Sequence, residues 1–431
     1  DPEALNYDKD AKQDDGTCKY TVLIKGCTDF QATNYDEDAN CDDGTCEYPP
    51  LDPSDVPGCM DPLALNYNEL ADVSDGSCTY DTTVVGCMDP NATNFNPEAT
   101  KAAKPDIFWV EYDDPVSTGN VGKLDLTAGT NSYIFSGAAD GINQPVDLAH
   151  YKDKAGVQDY VYFTEENAGS GRVYRGKEDG AGAPMVIVDK TDLGVANFYP
   201  QGITVDEDNG YVFFIEGNTS TGGIWRCDLY GQGLIKIVAT VNYGQGITYD
   251  RKRRKVYWIE GASAGVIKRA SYDGSGVIKI ENIGENGYGL DLYYSNGTNA
   301  DPTHLIWTTA TQLRRGTLSN IYDTITDHEY RTLLTSMRHV VIDSFGKRVY
   351  VVGKGPQVSS AFSSGFDLDG YKVVSMAIEK KNASGQYELT SFHTEPLTIE
   401  LSLPNTYQMV GIGMDMSKTC TYPTIAECLD I

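Results

Sequence analysis

The sequence predicts an all-β protein, a six-bladed β-propeller with an N-terminal array of small disulfide-stapled repeats. Two observations lead to this fold class. From about residue 107 onward, short segments rich in aromatic and β-branched residues recur between Gly, Asn and Asp turns. Before that point the chain is dense in cysteine, because seven of its ten cysteines fall within the first 87 residues.

The composition excludes several classes of protein. The 431 residues carry a formal net charge of −28, which disfavours binding to nucleic-acid phosphates. The longest apolar runs are far too short to span a bilayer, so we expect no membrane span. The chain has no initiator Met and no signal sequence, which favours a mature or trimmed product.

The cysteine density favours an oxidising, extracellular compartment. Asn-X-Ser/Thr sequons agree with secretion, although such triplets also arise by chance. The four candidate glycosylation sites are Asn91, Asn218, Asn296 and Asn382.

The N-terminal region is a repeat array. Residues 26–48 and 58–80 share the pattern G-C-x-D-x-x-A-x-N-Y followed by D-G-S/T-C-x-Y, and partial copies occupy residues 1–20 and 86–105. The outer cysteines of each complete unit are 19 residues apart. Closing a loop of that size stabilises a fold by about 3 kcal/mol, and a unit this small needs such a bond. The spacing therefore predicts two disulfides, Cys27–Cys46 and Cys59–Cys78.

Other cysteines fall outside this pattern. Three of them, Cys18, Cys41 and Cys87, pair among themselves or leave one thiol for an intermolecular bridge, and the sequence leaves both alternatives open. The tail, residues 419–431, contains Cys420 and Cys428, whose bridge would pin the chain end. We expect Cys227, on a strand of the second region, to be a buried thiol.

Charge is uneven along the chain. Residues 1–105 hold 22 Asp and Glu against 6 Lys and Arg, a net charge of −16. Unpaired carboxylates at close spacing repel one another, and Ca²⁺ would relieve the repulsion with oxygen ligands. The spacing departs from an EF-hand because Gly44 comes one place too late, so a Ca²⁺ site and a solvated acidic turn are both open. The candidate ligands are Asp36, Asp38, Asp42 and Asp43.

Two kinds of strand alternate in the predicted propeller, residues 106–418. The first carries an Asp at or near its end, as in QGITVD (201–206) and QGITYD (245–250). The second is aromatic, as in YVFFIE (211–216) and VYWIE (256–260). A third strand and an Asp-Gly or Tyr-Gly turn lead to a fourth strand, and four strands make one propeller blade.

The two ends of this region complement each other. It opens with IFWVEY (107–112), a second strand with no first strand before it. It closes with MVGIGMD (409–415), a first strand with no second strand after it. Joined, they make one blade, and the five internal first strands bring the number of blades to six. Closure into a ring removes exposed sheet edges.

These blades resemble the YWTD repeats (class B repeats) of the low-density lipoprotein receptor family. VYWIE (256–260) followed by VIKRASYDG (266–274) is the clearest match, whereas the first and last blades depart from the pattern. The N-terminal units are similar to G-C-x-D-P-x-A-x-N-Y…D-D-G-S-C repeats of large secreted surface proteins. The combination is similar to that of extracellular appendage proteins, including those of algal flagellar hairs. The resemblance implies a propeller fold, whereas propellers serve many functions.

The sequence contains no recognisable catalytic set. None of its five histidines has H-x-x-x-H spacing, and no G-x-S-x-G motif or Gly-rich phosphate loop follows a strand. His304 and His339 begin strands, and we expect structural roles for them. Glu165, Glu216 and Glu260 end equivalent second strands and belong to the repeat pattern. We therefore expect no enzymatic activity, and Ca²⁺ is the single candidate cofactor.

One basic run interrupts the acidic trend, and it comprises Arg251, Lys252, Arg253, Arg254 and Lys255. The run is either a solvated turn or a docking site for an acidic repeat of a neighbouring subunit.

The frayed repeats, leftover cysteines and opposite charges favour a structural subunit of an extracellular filament, appendage or array that self-associates into a homopolymer. Two alternatives are open. The first is a ligand-binding or adhesion propeller that contacts other extracellular proteins or glycans, and the second is a Ca²⁺-dependent propeller hydrolase.

Overall fold

The structure is a computed structural model. It describes residues 24–27, 32–39, 41–42, 45–47, 56–61, 64, 66–75, 77–79, 85–86, 96, 98–113, 118–153, 157–217, 222–261, 263–295, 302–319, 324–344, 346–356, 371–381, 387–391, 397–402 and 407–415. Contacts divide the chain into two compact units, the first 83 residues and residues 84–431.

The first unit contains two copies of one small motif. In each copy, the strand that ends just before the first cysteine pairs in parallel with a strand later in the same repeat. The pairs are β1 (Lys25–Gly26) with β2 (Cys41–Asp42), and β3 (Pro57–Gly58) with β4 (Val73–Ser74). Both predicted disulfides, Cys27–Cys46 and Cys59–Cys78, are present.

An asparagine reinforces the disulfide in each copy. Asn34 Nδ2 donates to the carbonyl oxygen of Thr45 at 2.7 Å, and Asn34 Oδ1 accepts the N–H of Glu47 at 2.7 Å. In the other copy, Asn66 makes the equivalent bonds at 2.6 and 2.7 Å. The asparagine therefore holds the segment that carries the second cysteine, and this loop is ordered by hydrogen bonds as well as by the disulfide.

A third copy of the motif opens the second unit. There β5 (Val85–Gly86) pairs in parallel with β6 (Lys101–Ala102). The closing position of the pattern is Asp106 in this copy. The paired strands therefore form without a cysteine at that position.

The described residues from Asp106 to Asp415 form the predicted six-bladed propeller. Blade 1 contains β7 (Asp106–Asp113), β8 (Thr118–Asp125) and β9 (Thr130–Ser136). Blade 2 contains β10 (Pro145–Tyr151), β11 (Tyr160–Glu165), β12 (Arg172–Lys177) and β13 (Met185–Asp189). Blade 3 contains β14 (Pro200–Asp206), β15 (Tyr211–Glu216), β16 (Gly223–Asp228) and β17 (Ile235–Val238). Blade 4 contains β18 (Gly244–Asp250), β19 (Lys255–Glu260), β20 (Val266–Ser271) and β21 (Ile278–Asn282).

Blade 5 contains β22 (Gly287–Tyr293), β23 (His304–Thr309), β24 (Gln312–Leu318) and β25 (Ile325–Thr332). Blade 6 contains β26 (Leu334–Thr335), β27 (Val340–Asp343), β28 (Arg348–Pro356), β29 (Tyr371–Ala377) and β32 (Thr398–Ser402). A hairpin of β30 (Glu379–Lys381) and β31 (Tyr387–Leu389) lies between its last two strands. The described residues also include two one-turn helices, α1 (Gly137–Asp140) and α2 (Lys190–Leu193). No helix among the described residues is long and apolar enough to cross a membrane.

The ring closes as predicted from its two ends. The last strand, β33 (Tyr407–Asp415), pairs antiparallel with β7 and completes blade 1. The first strands of successive blades contact one another in a closed series, and they therefore line the central channel. Six hydrophobic clusters fill the spaces between adjacent blades, one cluster for each pair. Burial between sheets thus holds the ring together.

Turn glycines allow adjacent blades to meet closely. Gly231 and Gly274 lie in the turns between the third and fourth strands, with φ of +82° and +81°. A Cβ at Gly231 would lie 2.0 Å from the carbonyl oxygen of Ile187, and one at Gly274 would lie 1.7 Å from that of Ile237. Each of these oxygens belongs to the outermost strand of the preceding blade. The Tyr-Gly and Asp-Gly turns of the sequence pattern are therefore blade contacts as well as turns.

Candidate functional site

Glycines line the end of the channel at which the first strands begin. The third residue of β14, β18 and β22 is glycine, at Gly202, Gly246 and Gly289. A Cβ at Gly202 would lie 2.9 Å from the Cα of Gly246, and a Cβ at Gly246 would lie 2.9 Å from the Cα of Gly289. Neighbouring first strands therefore pass too closely here for ordinary side chains.

Two blades carry a polar side chain at this glycine position. Blade 2 has Asp147, and blade 6 has His339. His339 Nδ1 lies 3.2 Å from Asp147 Oδ1 and 2.8 Å from the carbonyl oxygen of Ile412 in β33. Blades 2 and 6 both flank blade 1, so this pair reaches across the blade that closes the ring.

The pair is buried and firmly held. The Asp147 carboxyl accepts the N–H groups of Leu148 at 2.9 Å and Ile203 at 3.0 Å, which joins blade 2 to blade 3. Burial raises the pKa of Asp147, while the charge of His339 and the two N–H groups oppose that shift. His339 is 8% exposed, and its Nε2 has no hydrogen-bond partner among the described residues. One ring nitrogen is thus anchored by hydrogen bonds, whereas the other has no partner in the part of the chain that the structure describes.

A cavity of about 350 Å³ opens at the same end of the channel, and His339 and Asp147 are part of its lining. Its rim carries amide, aromatic and charged side chains. Gln201 Nε2 donates to Glu166 Oε2 at 3.0 Å, and the Arg338 guanidinium lies 4.6 Å from the ring centre of Tyr288. These groups can donate and accept hydrogen bonds at a concave surface, which is the usual chemistry of a binding site.

A second buried carboxyl lies further along the channel. Asp291 Oδ1 accepts the Thr248 hydroxyl at 2.9 Å and the N–H of Leu292 at 2.8 Å, and Oδ2 accepts the N–H of Ile342 at 2.9 Å. Burial raises the pKa of Asp291 to about 6, although these hydrogen bonds lower it. Asp291 therefore links blades 4, 5 and 6.

The opposite end of the channel carries an ion-pair network. Four side chains here could in principle bind a metal ion, because their nitrogen and oxygen atoms lie within 4.8 Å of one another. They are His150, Asp159, Glu178 and Asp415. Two lysines already supply the positive charge, however. Lys123 Nζ lies 2.5 Å from Glu178, and Lys152 Nζ lies 2.5 Å from Asp159. We therefore assign the group as an ion-pair network rather than a metal site.

The acidic turn, for which the sequence leaves open a Ca²⁺ site and a solvated turn, is described only in part. Asp36 Oδ1 accepts the N–H of Asp38 at 3.0 Å, and Asp38 is exposed. In the other two copies of the motif, Asn68 and Asn96 make the same bond to the residue two places on. An amide thus replaces this carboxylate elsewhere. Asp43 and the side chain of Asp42 lie outside the described residues, and the Ca²⁺ site stays a prediction.

The first four residues of the basic run form the turn between β18 and β19, and Lys255 begins β19. Arg251 contacts Glu207 and Asp208 at 3.1 Å each, and Arg253 contacts Asp250 at 3.3 Å. The remaining members also lie near their own blade: Lys255 Nζ donates to Ser271 at 2.7 Å, Arg254 lies over the ring of Tyr272, and Lys252 is exposed. Part of its charge is therefore matched within the chain, and docking of a neighbouring subunit stays a prediction.

Several predicted sites lie outside the described residues. They are the four sequons at Asn91, Asn218, Asn296 and Asn382, the tail cysteines Cys420 and Cys428, and the unassigned Cys18 and Cys87. Only the backbone of Cys41 is described. Cys227 is a buried free thiol as predicted, and burial raises its pKa to about 12.

Two of the glutamates that end second strands, Glu165 and Glu260, tie their blades to the entry loops. Glu165 accepts the N–H of Asn143 at 2.8 Å, and Glu260 accepts the N–H of Asn242 at 2.8 Å. Each asparagine comes shortly before the first strand of the same blade. These carboxylates are therefore occupied in structural bonds.

Comparisons with known proteins support the propeller. No family model matches the sequence. Low-density lipoprotein receptor-related protein 1 of Pyricularia oryzae is 33% identical over 136 residues, which are 30% of this chain and 42% of that relative. The chain therefore spans less than half the length of that relative. A chain from the crystal structure of the nidogen/laminin complex is similar with a TM-score of 0.50 and 16% identity, over 73% of this chain and 100% of that chain. The chain is thus similar in sequence to part of a low-density lipoprotein receptor-related protein and similar in fold to a chain of the nidogen/laminin complex.

Proposed function

We propose that this chain is an extracellular binding protein whose propeller holds a protein partner at the cavity beside His339. One observation carries the proposal: a cavity of about 350 Å³, with polar side chains converging on it, opens at the end of the channel. Its size falls within the range of about 300–1,000 Å³ that is typical of binding pockets.

The scaffold around the cavity favours recognition of a preformed surface. The cavity is built on first strands that are hydrogen-bonded within their blades and joined between blades by Asp147 and His339. A rigid site loses little conformational entropy when it binds. Gln245, Tyr288 and Arg338 would make the contacts, because they line the cavity and are half-buried.

Two further observations support an extracellular protein as the partner. The paired cysteines of the N-terminal repeats are typical of oxidising compartments. The similar chain of known structure comes from a complex between nidogen and laminin. Together they favour a protein partner outside the cell.

The proposed function is binding without catalysis. A propeller hydrolase would need channel carboxylates that are available for Ca²⁺ or substrate. Asp147 and Asp291 each accept at least two hydrogen bonds from neighbouring groups. We expect no Ca²⁺-dependent hydrolysis of ester substrates, and hydrolysis that disappears in an Asp291→Ala variant would contradict this part of the proposal.

The test is a capture experiment with matched baits. The probe is the set of proteins released from the surface of the cells that make this chain. Baits are the wild type, Gln245→Trp to fill the cavity, Arg338→Ala to remove its cationic donor, and Lys252→Ala as a surface control at the other end of β18. Thermal unfolding checks that each bait is folded.

We expect wild type and Lys252→Ala to capture the same partner, and both cavity variants to lose it. A hydrogen bond to a charged group contributes about 1.5–3 kcal/mol, so Arg338→Ala should weaken binding about 10- to 140-fold in titrations with the purified partner. A partner that binds all four baits equally would place recognition elsewhere on the molecule and contradict the proposal.

The sequence also predicts that this chain assembles with copies of itself into a filament, appendage or array. The repeat array supports it, because three copies of one motif recur in tandem. The basic run supports it less, because Arg251 and Arg253 contact carboxylates of their own chain. Sedimentation under native and non-reducing conditions tests it, and a strict monomer in both would contradict a filament subunit.

A further inference from the structure

The ring closes at a seam between two blades that are far apart in sequence. β33 completes blade 1 and lies beside β10, the first strand of blade 2. His150 of β10 faces this seam, and its Nδ1 lies 3.8 Å from the Oδ1 of Asp415 in β33. A side chain of blade 2 thus contacts the strand that closes the ring.

His150 is buried between acceptors. Its side chain is 2% exposed, and its ring stacks on Phe108 of blade 1 with 5.1 Å between ring centres. Nε2 lies 2.9 Å from Glu178 Oε2, while Nδ1 faces Asp415. A neutral imidazole donates from one nitrogen only, whereas the protonated ring donates from both. The protonated form therefore hydrogen-bonds Glu178 and presents a positive charge to Asp415, whose carboxylate oxygen lies 3.8 Å from Nδ1.

Other charges reach this cluster from every neighbouring element. Blade 1 adds Asp106 and Lys123, blade 2 adds Lys152 and Asp159, and the turn after β14 adds Glu207, which Arg251 of blade 4 contacts. With Glu178 and Asp415, five carboxylates face three permanent cations. A proton on His150 reduces this excess of negative charge.

The balance of these effects favours the protonated ring. Burial alone would lower the pKa of His150, but the hydrogen bond to Glu178 and the charges of Asp415, Glu178 and Glu207 outweigh it and raise that pKa. Burial would likewise raise the pKa of Glu178, yet His150 and Lys123 bring it down to about 2.

We propose that protonated His150 is a lock on ring closure, which holds β33 against blade 2 and releases it when the proton is lost. The lock contributes fully below about pH 6.5, the ordinary value for an unfolded histidine, and its contribution is lost as pH rises through the higher folded-state value. The seam is therefore tight in mild acid and loosens in alkali. This inference is independent of the proposed partner.

Hydrogen exchange with mass spectrometry tests the lock directly, because it reports local opening. Protection of residues 407–415 is measured at pH 6.0 and pH 8.5, after correction for intrinsic exchange rates, with β19 as an internal reference. In the wild type we expect β33 to lose about tenfold in protection for each unit by which the folded-state pKa exceeds the unfolded one. β19 should change little.

Three variants separate the lock from a general effect of pH. His150→Gln should give low protection of β33 that is the same at both pH values, and His150→Lys should keep protection at pH 8.5. His304→Gln is the matched control, because burial and Arg315 lower the pKa of His304 to about 4 and leave it neutral throughout. Equal wild-type protection at the two pH values, or the same loss in His150→Gln as in wild type, would overturn the proposal.

Discussion

Gly274→Ala tests how closely the blades must approach one another. Gly274 lies in the turn between β20 and β21, and its φ is +81°. A Cβ there would lie 1.7 Å from the carbonyl oxygen of Ile237 in the neighbouring blade. No real Cβ contact is that short, so one blade must move. Gly276 of the same turn provides the control, because its φ is +65° and a Cβ there meets nothing within 4 Å.

The two substitutions share one cost and differ in another. Placing alanine in the left-handed region costs about 1–2 kcal/mol, and both variants carry this cost. Overpacking adds about 1–3 kcal/mol when the backbone must shift, and only Gly274→Ala carries it. We therefore expect the free energy of unfolding to fall by about 1–2 kcal/mol for Gly276→Ala and by about 2–5 kcal/mol for Gly274→Ala.

Urea denaturation followed by tryptophan fluorescence measures both values, since Trp258 is buried in the same blade. An unchanged slope of the transition shows that the comparison concerns stability rather than a change in the unfolded state. Equal losses for the two variants would refute the idea that this turn is a contact between blades, and would leave only the backbone conformation as its reason for glycine.

Three further predictions concern other parts of the molecule. Replacing Cys59 and Cys78 together by serine should remove about 3 kcal/mol from that repeat and open it to proteases, while thermal unfolding of the propeller stays unchanged. Thr248→Val should destabilise the propeller more above pH 6 than below it. The reason is that the lost hydroxyl donates to the ionised form of Asp291, whose pKa is about 6. A loss of stability in urea titrations that does not depend on pH would contradict this. Cys227 should react with a thiol reagent only as fast as the propeller unfolds, and rapid reaction in the native state would contradict its burial.

The number of blades was predictable because two separate features of the sequence indicate it. Each blade repeats a first strand with an Asp at or near its end and an aromatic second strand, and the two incomplete ends fit each other. The structure pairs them as expected, with Ile412 opposite Trp109. Strand periodicity and turn residues are local properties, so one sequence is enough to show them.

The site at the channel end was not predictable in the same way. The sequence predicts a structural role for His339 and no particular role for Asp147. The signal was present: aligned first strands carry glycine at this position in blades 1, 3, 4 and 5, and only Asp147 and His339 depart from it. Their contact, however, depends on the geometry of the ring, because blades 2 and 6 meet only across their common neighbour, blade 1.

The repeating Asp at the end of first strands shows the same limit. Asp206 Oδ1 accepts the N–H of Asp208, and Asp343 Oδ1 accepts the N–H of Gly346, so these carboxylates cap the turn to the second strand. Asp415 has the equivalent position in β33. However, β33 pairs with β7, from the other end of the propeller, so no turn follows Asp415 for its carboxylate to cap. The Asp415 carboxylate faces His150. The sequence pattern alone treats all these residues as equal.

Two buried histidines, His339 and His150, lie against the closing strand. At one end of the channel His339 bonds the carbonyl oxygen of Ile412, and at the other end His150 faces Asp415. In every other blade the first and second strands follow each other in the chain, with four to ten residues between them. Blade 1 instead joins strands that are about 300 residues apart, and closing a longer loop carries a larger entropic cost. Side-chain contacts at both ends of β33 compensate for the missing turn. The closing strand, which no turn joins to its neighbour in blade 1, thus makes polar contacts with blades 2 and 6 through these two histidines.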